Sequence, residues 1–202
     1  MRILMICVTS VFAAMCVAAH AAPTLTSTYS STSAKDCSKI SATRIDGDEI
    51  GSEHICPGAA GFKVLKSEDD LRETISVGRN AKAANREVAA NQSFGPFNST
   101  ADTVEWRNRE GTPFAIIQRW RILDNQDAGK DGRPRSKELL VVTRLGVGKV
   151  CHVAYIDVQA NAEANDTARR AADELAGGFD CAKSKPKAYG LSGRATELAL
   201  PK

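Results

Sequence analysis

Two segments with alternating apolar and polar residues flank a glycine turn in the middle of the chain. Val104 and Trp106 alternate with charged residues in the first segment, and residues 114–122 repeat the pattern after the turn at 110–112. A period of two is typical of a strand that buries one face. The two segments therefore predict a β-hairpin.

The apolar face of this hairpin also predicts its register. A short loop places Arg109 opposite Pro113, and Trp106 then lies beside Ile116. A slip of one residue would move Trp106 among charged side chains, so this register is strongly specified. The opposite face then collects the charged residues Glu105, Arg107, Arg119 and Arg121.

Two later segments, residues 139–143 and 150–158, are apolar on both faces. Strands of this kind are covered on both sides, which places them in the middle of a sheet. A stripe of alanines at helical spacing follows at 161–176, where Asn161 can cap a helix and Gly177 can end it. Because small side chains allow a close approach, we expect this helix to cover the sheet.

The remaining segments give weaker signals. Residues 62–66 and 71–77 are typical of two strands joined by an acidic turn. Residues 36–61 are rich in turn residues and show no periodicity, whereas residues 79–91 fit a helix or a surface loop equally well.

These elements predict one α+β domain at residues 36–182. We expect an antiparallel sheet of about six or seven strands with a C-terminal helix packed on one face. Residues 22–35, with a candidate strand at 27–30, are expected to form a flexible N-terminal segment, and residues 183–202 a loose C-terminal tail. A chain of this length suits a single hydrophobic core.

The first residues have the features of a secretory signal peptide. Arg2 precedes an apolar run at 3–17, and Ala19-His20-Ala21 has the small residues that signal peptidase requires. A run of about 15 to 17 apolar residues is short for a membrane span, which needs roughly 20. We therefore predict a signal peptide at 1–21 and a periplasmic or secreted chain without a transmembrane anchor after processing.

Cleavage at this point would leave four of the six cysteines. An even number of cysteines in an exported chain favours disulfides. Four cysteines allow three connectivities, of which we expect the two local ones. A bridge between Cys151 and Cys181 would fasten a central strand to the far end of its covering helix, and one between Cys37 and Cys56 would close the turn-rich segment.

No motif indicates a metal site, a cofactor or a catalytic centre. The cysteines lack the spacing of a zinc site, and residues 127–138 match a calcium-binding loop at only some positions, with several basic residues beside them. His152 follows Cys151 on a predicted strand, so the two side chains would point to opposite faces. The net charge of +3 gives no reason to expect nucleic-acid binding.

The arginines of the sheet are the candidate ligand-binding residues. Guanidinium groups bind carboxylate, phosphate and sulfate groups well. The other interpretation is an ordinary solvent-facing strand surface, partly neutralised by Glu105 and Glu138. The expected anion patch consists of Arg107, Arg119, Arg121 and Arg144.

A set of short motifs is spread over most of the chain. They are Cys56-Pro57-Gly58, Asp70-Leu71-Arg72, Pro96-Phe97-Asn98, Val104-Glu105-Trp106-Arg107, residues 140–145, residues 151–157, the helix at 160–173, Phe179 with Cys181, and Lys185-Pro186. Together they resemble a family of small exported proteins of unknown function from alphaproteobacteria. The resemblance implies export and a bacterial origin, and it carries over no functional residue.

These observations favour a non-catalytic binding or interaction module. An anionic envelope component at the arginines, or an envelope protein, is the expected partner. The alternative is a protein inhibitor of a cell-wall lytic enzyme that uses the disulfide-closed segment 37–56, and an enzyme of unknown class is the third interpretation.

Overall fold

Ten strands form one mixed sheet in the computed structural model, which describes residues 22–146 and 148–200. The predicted signal peptide at 1–21 lies outside the described residues. The strands are β1 (Leu25–Ser31), β2 (Ser38–Ile45), β3 (Asp48–Pro57), β4 (Lys63–Asp69), β5 (Arg72–Gly78), β6 (Asn98–Arg109), β7 (Thr112–Ala128), β8 (Pro134–Arg144), β9 (Cys151–Asp157) and β10 (Lys187–Ala188). The helices are α1 (Ala81–Asn85), α2 (Ala164–Leu175) and α3 (Arg194–Ala199), with 3-10 turns at Ala34–Asp36 and Val88–Asn91.

The order of the strands is β10-β9-β8-β7-β6-β5-β4-β3-β2, with β1 paired to β6. Neighbouring strands are antiparallel, except that β10 lies parallel to β9 and β5 parallel to β6. The backbone pairing of β5 with β6 is the single pair Arg72 and Asn98, and Glu73 of β5 also binds Thr100 of β6. The sheet therefore has two parts, β2–β5 and β6–β10 with β1, which are joined by one bridge.

The expectation of six or seven antiparallel strands is corrected by this topology. The segment at 36–61 contains the hairpin β2–β3, which the sequence did not indicate because all eight residues of β2 are exposed. A strand without a buried face has no apolar alternation. The turn itself left a signal, since Asp46 and Gly47 both have positive φ angles, of 51° and 93°, as an Asp-Gly hairpin turn requires.

Both terminal segments also differ from their predictions. Residues 22–35 include β1, a full strand that pairs with β6 from Leu25 opposite Arg109 to Ser31 opposite Thr103. The expected tail at 183–202 includes β10 and α3. α3 is held in place by a contact with a distant part of the chain. Its first residue, Arg194, donates to both carboxylate oxygens of Asp124 in β7, at 2.8 Å each.

The central hairpin has the predicted pairing of Trp106 with Ile116. The loop differs, because Glu110 and Gly111 form a two-residue turn with φ angles of 50° and 77°. Arg109 therefore lies opposite Thr112 instead of Pro113. A β-bulge next to Arg107 adds the residue that restores the predicted register.

One hydrophobic cluster lies between the two parts of the sheet. Trp106 and Trp120 are buried there against Val64 of β4, Val77 of β5 and Phe94. Phe94 meets Trp120 edge to face, with 5.0 Å between ring centroids. The interpretation of the tryptophans as core residues is confirmed.

A second hydrophobic cluster lies between α2 and the opposite face of β7, β8 and β9. Ala168, Ala171 and Ala172 are fully buried against a set that includes Ile117 and Leu140. The helix begins at Ala164, and Asn161 does not cap it. The Asn161 side chain instead donates to the carbonyl oxygens of Asp157 and Leu191, at 2.8 Å each.

Two disulfides have the predicted local pairing. Cys37 is bonded to Cys56, with 4.2 Å between their Cα atoms, and Cys151 to Cys181, with 5.8 Å. The first bridge anchors the base of the β2–β3 hairpin. The second ties β9 to the segment that follows α2.

No helix in the described part of the chain is both long and apolar enough to cross a bilayer.

Replacing both Cys151 and Cys181 by alanine is expected to lower the free energy of unfolding by about 3 kcal/mol. The bridge closes a loop with a sequence separation of 30, and without it the unfolded chain gains conformational freedom. Urea unfolding followed by tryptophan fluorescence measures the change. Equal midpoints for the variant and the wild type would contradict a stabilising role, provided that mass mapping shows the bridge in the wild type.

Candidate functional site

The four arginines of the expected anion patch lie on one face of the sheet, but they do not form one patch. Arg107 and Arg144 both lie opposite Ala115, on its two neighbouring strands. Arg119 and Arg121 are further along β7, and α2 packs on the face between them and that pair. The structure therefore separates the four residues into two pairs.

Arg107 is bound to the helix that covers the sheet. Its Nε and Nη2 atoms donate to the two carboxylate oxygens of Asp173 in α2, both at 2.7 Å. The hydrogen bonds to Asp173 raise the pKa of the Arg107 guanidinium. Both side chains are largely buried, so this pair fixes α2 to β6 and leaves little of Arg107 for a ligand.

Arg144 is also used within the chain. Its guanidinium donates to the carbonyl oxygen of Phe179, in the segment between α2 and Cys181. Arg144 lines a cleft of about 460 Å³ with Lys149 and Asp180. Arg144 is the last residue of β8, and its hydrogen bond holds this segment against the end of that strand.

Arg119 and Arg121 share a single carboxylate. Arg119 donates to Glu138 at 2.5 Å, whereas the Nε atom of Arg121 lies 3.7 Å from the other oxygen of Glu138. Within the described residues the guanidinium of Arg121 donates no hydrogen bond, and the side chain is 47% exposed. Two positive charges and one negative charge leave a net positive charge at this end of the face.

Arg169 of α2 is a fifth arginine on this face that the sequence did not single out. It donates to both carboxylate oxygens of Glu105, at 2.7 Å and 3.2 Å, and to Asp166 at 2.8 Å. The bond to Glu105 raises the pKa of Arg169. In the alternative interpretation Glu105 partly neutralises the strand arginines; it binds Arg169 of the helix, and its charge also acts on Arg107.

A groove of about 320 Å³ borders Arg121. It lies beside the single backbone pair of β5 and β6, between the β4–β5 turn, the second half of β7 and the start of β8. Leu71, Phe97 and Leu123 supply its apolar lining. Its polar lining comes from Glu68, Glu73, Asn98, Ser99, Arg121 and Ser136.

The β2–β3 hairpin is a second candidate surface. β2 is the last strand of the sheet, and in the part of the chain that the structure describes it pairs with β3 alone. β3 pairs with β4 from Pro57 back to Gly51, so the turn and the start of β3 extend past the end of this pairing. Ile40, Ile45 and Ile50 are exposed on the hairpin by 45%, 58% and 37%.

The base of this hairpin is fixed in place. Cys56 is fully buried in the core and is bonded to Cys37 just before β2. Gly51 packs so closely on β4 that a Cβ atom there would lie 2.8 Å from the carbonyl oxygen of Glu68. An exposed strand is therefore presented from a rigid base.

His152 is a core residue. It is buried among Phe94, Trp120 and Tyr155, and its Nδ1 atom lies 3.1 Å from the Tyr155 hydroxyl. Its Nε2 atom is buried without a partner among the described residues. Burial lowers the pKa of His152 to about 3. An imidazole enclosed in this way cannot reach a substrate on the surface.

The loop that partly matches a calcium site has other contacts. Asp127 binds Lys137, and Glu138 binds Arg119. Among the described residues no three potential metal ligands come together. The loop connects two strands, as its flanking sequence predicted.

The fold and these surfaces define a mixed β-sheet protein with a twelve-residue covering helix and two disulfides. No protein-family model, no curated protein and no solved structure matches the chain. The resemblance to exported alphaproteobacterial proteins stays a prediction, and a function has to be argued from the surfaces themselves.

The stability of the protein is expected to fall between pH 6.5 and pH 3 because of His152. The unfolded chain takes up a proton on this imidazole below its ordinary pKa, whereas the folded protein does not, so stability is lost as the pH falls through this window. His152 contributes about 1.4 kcal/mol per pH unit to the dependence of the unfolding free energy on pH.

Urea unfolding at several pH values between pH 6.5 and 4.5 tests this, because few carboxylates titrate there. The variant His152→Gln keeps an acceptor for Tyr155 and has no charge to gain, so its stability should depend less on pH. If the unfolding free energies of the two proteins depend on pH in the same way, folding does not lower the pKa of His152, and the prediction is wrong.

Proposed function

We propose that this protein is a non-catalytic protein-binding module that works outside the cytoplasm and binds its partner through the β2–β3 hairpin. The observation that carries this proposal is the outer edge of β2, which has no partner strand among residues 22–146 and 148–200, with all eight residues exposed and a disulfide at its base. The predicted signal peptide and the two disulfides support a location in an oxidising compartment.

The two ends of the sheet differ in a way that supports this role. An exposed strand edge offers free backbone donors and acceptors, and proteins usually blunt such edges. At one end β10 has only two residues, Lys187 and Ala188. At the other end β2 offers an eight-residue edge. An extended segment of a partner can add to this edge as a further strand, with main-chain hydrogen bonds providing affinity.

The side chains of the hairpin favour a specific partner. Lys39 and Arg44 both bind Glu49 on β3, which leaves one positive charge of this cluster unbalanced. Two irregularities in the β2–β3 register limit indiscriminate pairing. The exposed Ile40 and Ile45 require apolar residues on the partner, which we infer to be an extended, partly apolar segment of an envelope protein.

An inhibitor of a cell-wall lytic enzyme is one form of this proposal. A rigid hairpin that inserts into an enzyme cleft requires the same features, a fixed base and an exposed tip. Addition of the purified protein to lysozyme-type enzymes distinguishes this form, because loss of lytic activity indicates an inhibitor and unchanged activity across a panel excludes it.

A photo-crosslinking residue at Ala42 is expected to give an adduct with a defined partner protein in cells of the native host. The double variant Ile40→Asp with Ile45→Asp should abolish the adduct, because two carboxylates would be buried against apolar side chains. The matched control is Val88→Asp with Leu191→Asp, which places the same two charges on exposed apolar residues outside the hairpin.

Mass spectrometry of the adduct identifies the partner segment. Attachment to an extended segment of another protein is the expected result. Attachment to a second copy of this chain would show that the hairpin mediates self-association, and the inferred envelope partner would then be wrong. The proposal would be contradicted if the adduct still formed in the double variant. It would also be contradicted if the folded wild-type protein formed no adduct.

Binding of an anionic envelope component at Arg119 and Arg121 is the second candidate function. It is favoured by the shared carboxylate of Glu138, which leaves one positive charge unbalanced. Arg107 and Arg144 no longer support it, because both are bound within the chain.

Reversal of both charges, Arg119→Glu with Arg121→Glu, is expected to weaken binding to vesicles that contain phosphatidylglycerol. Each basic residue near an anionic surface contributes about 1 kcal/mol, so affinity should fall by at least about tenfold. Co-sedimentation measures binding, and the exposed Arg133→Glu serves as the control. Equal binding of the variant and the wild type, or no binding by the wild type, would exclude this candidate.

A further inference from the structure

The groove beside Arg121 combines a positive charge, a negative charge and an apolar lining. The Arg121 guanidinium has its hydrogen-bond donors available, since its nearest carboxylate oxygen is 3.7 Å away. Glu68 and Leu71 line the groove on the other side of β6. Guanidinium groups bind carboxylates through two parallel hydrogen bonds, which makes Arg121 suited to a carboxylate ligand.

The turn between β4 and β5 holds an apolar side chain at a cost to the backbone. Asp70 and Leu71 have φ angles of 47° and 60°. This left-handed region is unfavourable for a bulky residue such as leucine and is usually occupied by glycine or asparagine. Leu71 is nevertheless 62% exposed, so burial in the core does not compensate for the strain.

Several contacts hold this strained turn and the neighbouring aromatic ring in place. The backbone N–H of Leu71 donates to Glu68 at 2.9 Å. The Arg72 guanidinium lies 4.8 Å from the centre of the Phe97 ring and donates to the carbonyl oxygens of Asp70 and Gly95. Two exposed apolar side chains, Leu71 and Phe97, are thus held at the edge of a charged groove.

The opposite charges limit the class of ligand. A purely anionic ligand would be attracted by Arg121 and repelled by Glu68 and Glu73. Glu73 is balanced by Lys66 at 3.0 Å, which leaves Glu68 as the unbalanced carboxylate. A ligand with one carboxylate, one ammonium group and an apolar side chain complements all three features.

We propose that this groove binds a short peptide with free ends, whose carboxylate is bound by Arg121, whose ammonium group faces Glu68 and whose apolar side chain packs on Leu71 and Phe97. The hydroxyls of Ser99 and Ser136 supply hydrogen-bonding groups for the peptide amide. The proposal shares Arg121 with the second candidate function and rests on the availability of that guanidinium. It is independent of the hairpin.

The dipeptide Leu-Phe is the probe, and its binding is followed by NMR of the full chain. Saturable shifts are expected for the amide resonances of Phe97, Ser99 and Arg121. The C-terminal amide of the same dipeptide should bind at least about tenfold more weakly, because it lacks the carboxylate. N-acetylation, which removes the ammonium group, should also weaken binding.

Three variants test the assigned roles. Arg121→Gln should bind Leu-Phe about as weakly as the wild type binds the amide, whereas Arg135→Gln on β8 should bind like the wild type. Glu68→Gln keeps the acceptor for the Leu71 N–H and removes the charge. It should weaken binding of Leu-Phe without affecting the N-acetylated peptide.

Leu71→Gly separates the ligand contact from the fold. Glycine relieves the left-handed strain, so the melting temperature should stay the same or rise while affinity for Leu-Phe falls. Unchanged affinity in Leu71→Gly or in Arg121→Gln would overturn the proposal, as would the absence of saturable shifts in the wild type. Since Leu71→Gly leaves every arginine in place, it should not affect vesicle binding, and failure of one proposal does not imply failure of the other.

Discussion

Strands β7, β8 and β9 have apolar side chains on both faces, and the rest of the structure depends on covering both. β4 and β5 cover one face, with the two tryptophans between them and the central strands. The helix α2 covers the other face but has only twelve residues, so it protects the part of β7 near Ala115 and Ile117. Beyond the helix that face has to be compatible with water. Arg119, Arg121 and Glu138 lie there for this reason.

Ion pairs at the border of α2 hold the helix on the sheet. Arg107 binds Asp173 and Arg169 binds Glu105, so each pair joins the helix to the sheet. Partly buried pairs of this kind are less screened by salt than exposed ones, and they constrain geometry as well as contributing energy. The small side chains of an alanine-rich helix interdigitate little with a sheet, so packing alone does not fix the orientation of the helix. We infer that these two pairs set its orientation.

Local patterns predicted the parts of the fold that bury an apolar face. The period of two at Trp106 and the alanine stripe of α2 each belong to an element that packs on the core. β1 and β2 lack such a pattern, because β1 is polar and is held by the edge of β6, and β2 is exposed throughout. The arginines were placed on the correct face, but their partners are far away in the chain. No local rule relates Arg107 to Asp173, 66 positions later.

The two candidate surfaces are the places where local sequence and stability disagree most. A long exposed edge such as β2 invites aggregation, and a leucine in the left-handed region is strained. Neither is imposed by the fold, since β10 leaves only a two-residue edge at the other end of the sheet and Gly111 satisfies a positive φ at another turn. Because natural sequences are locally consistent except where function requires otherwise, such conflicts favour functional roles. By this argument the hairpin and the Leu71 groove have a stronger claim to function than a patch of all four arginines, of which Arg121 alone lines the groove.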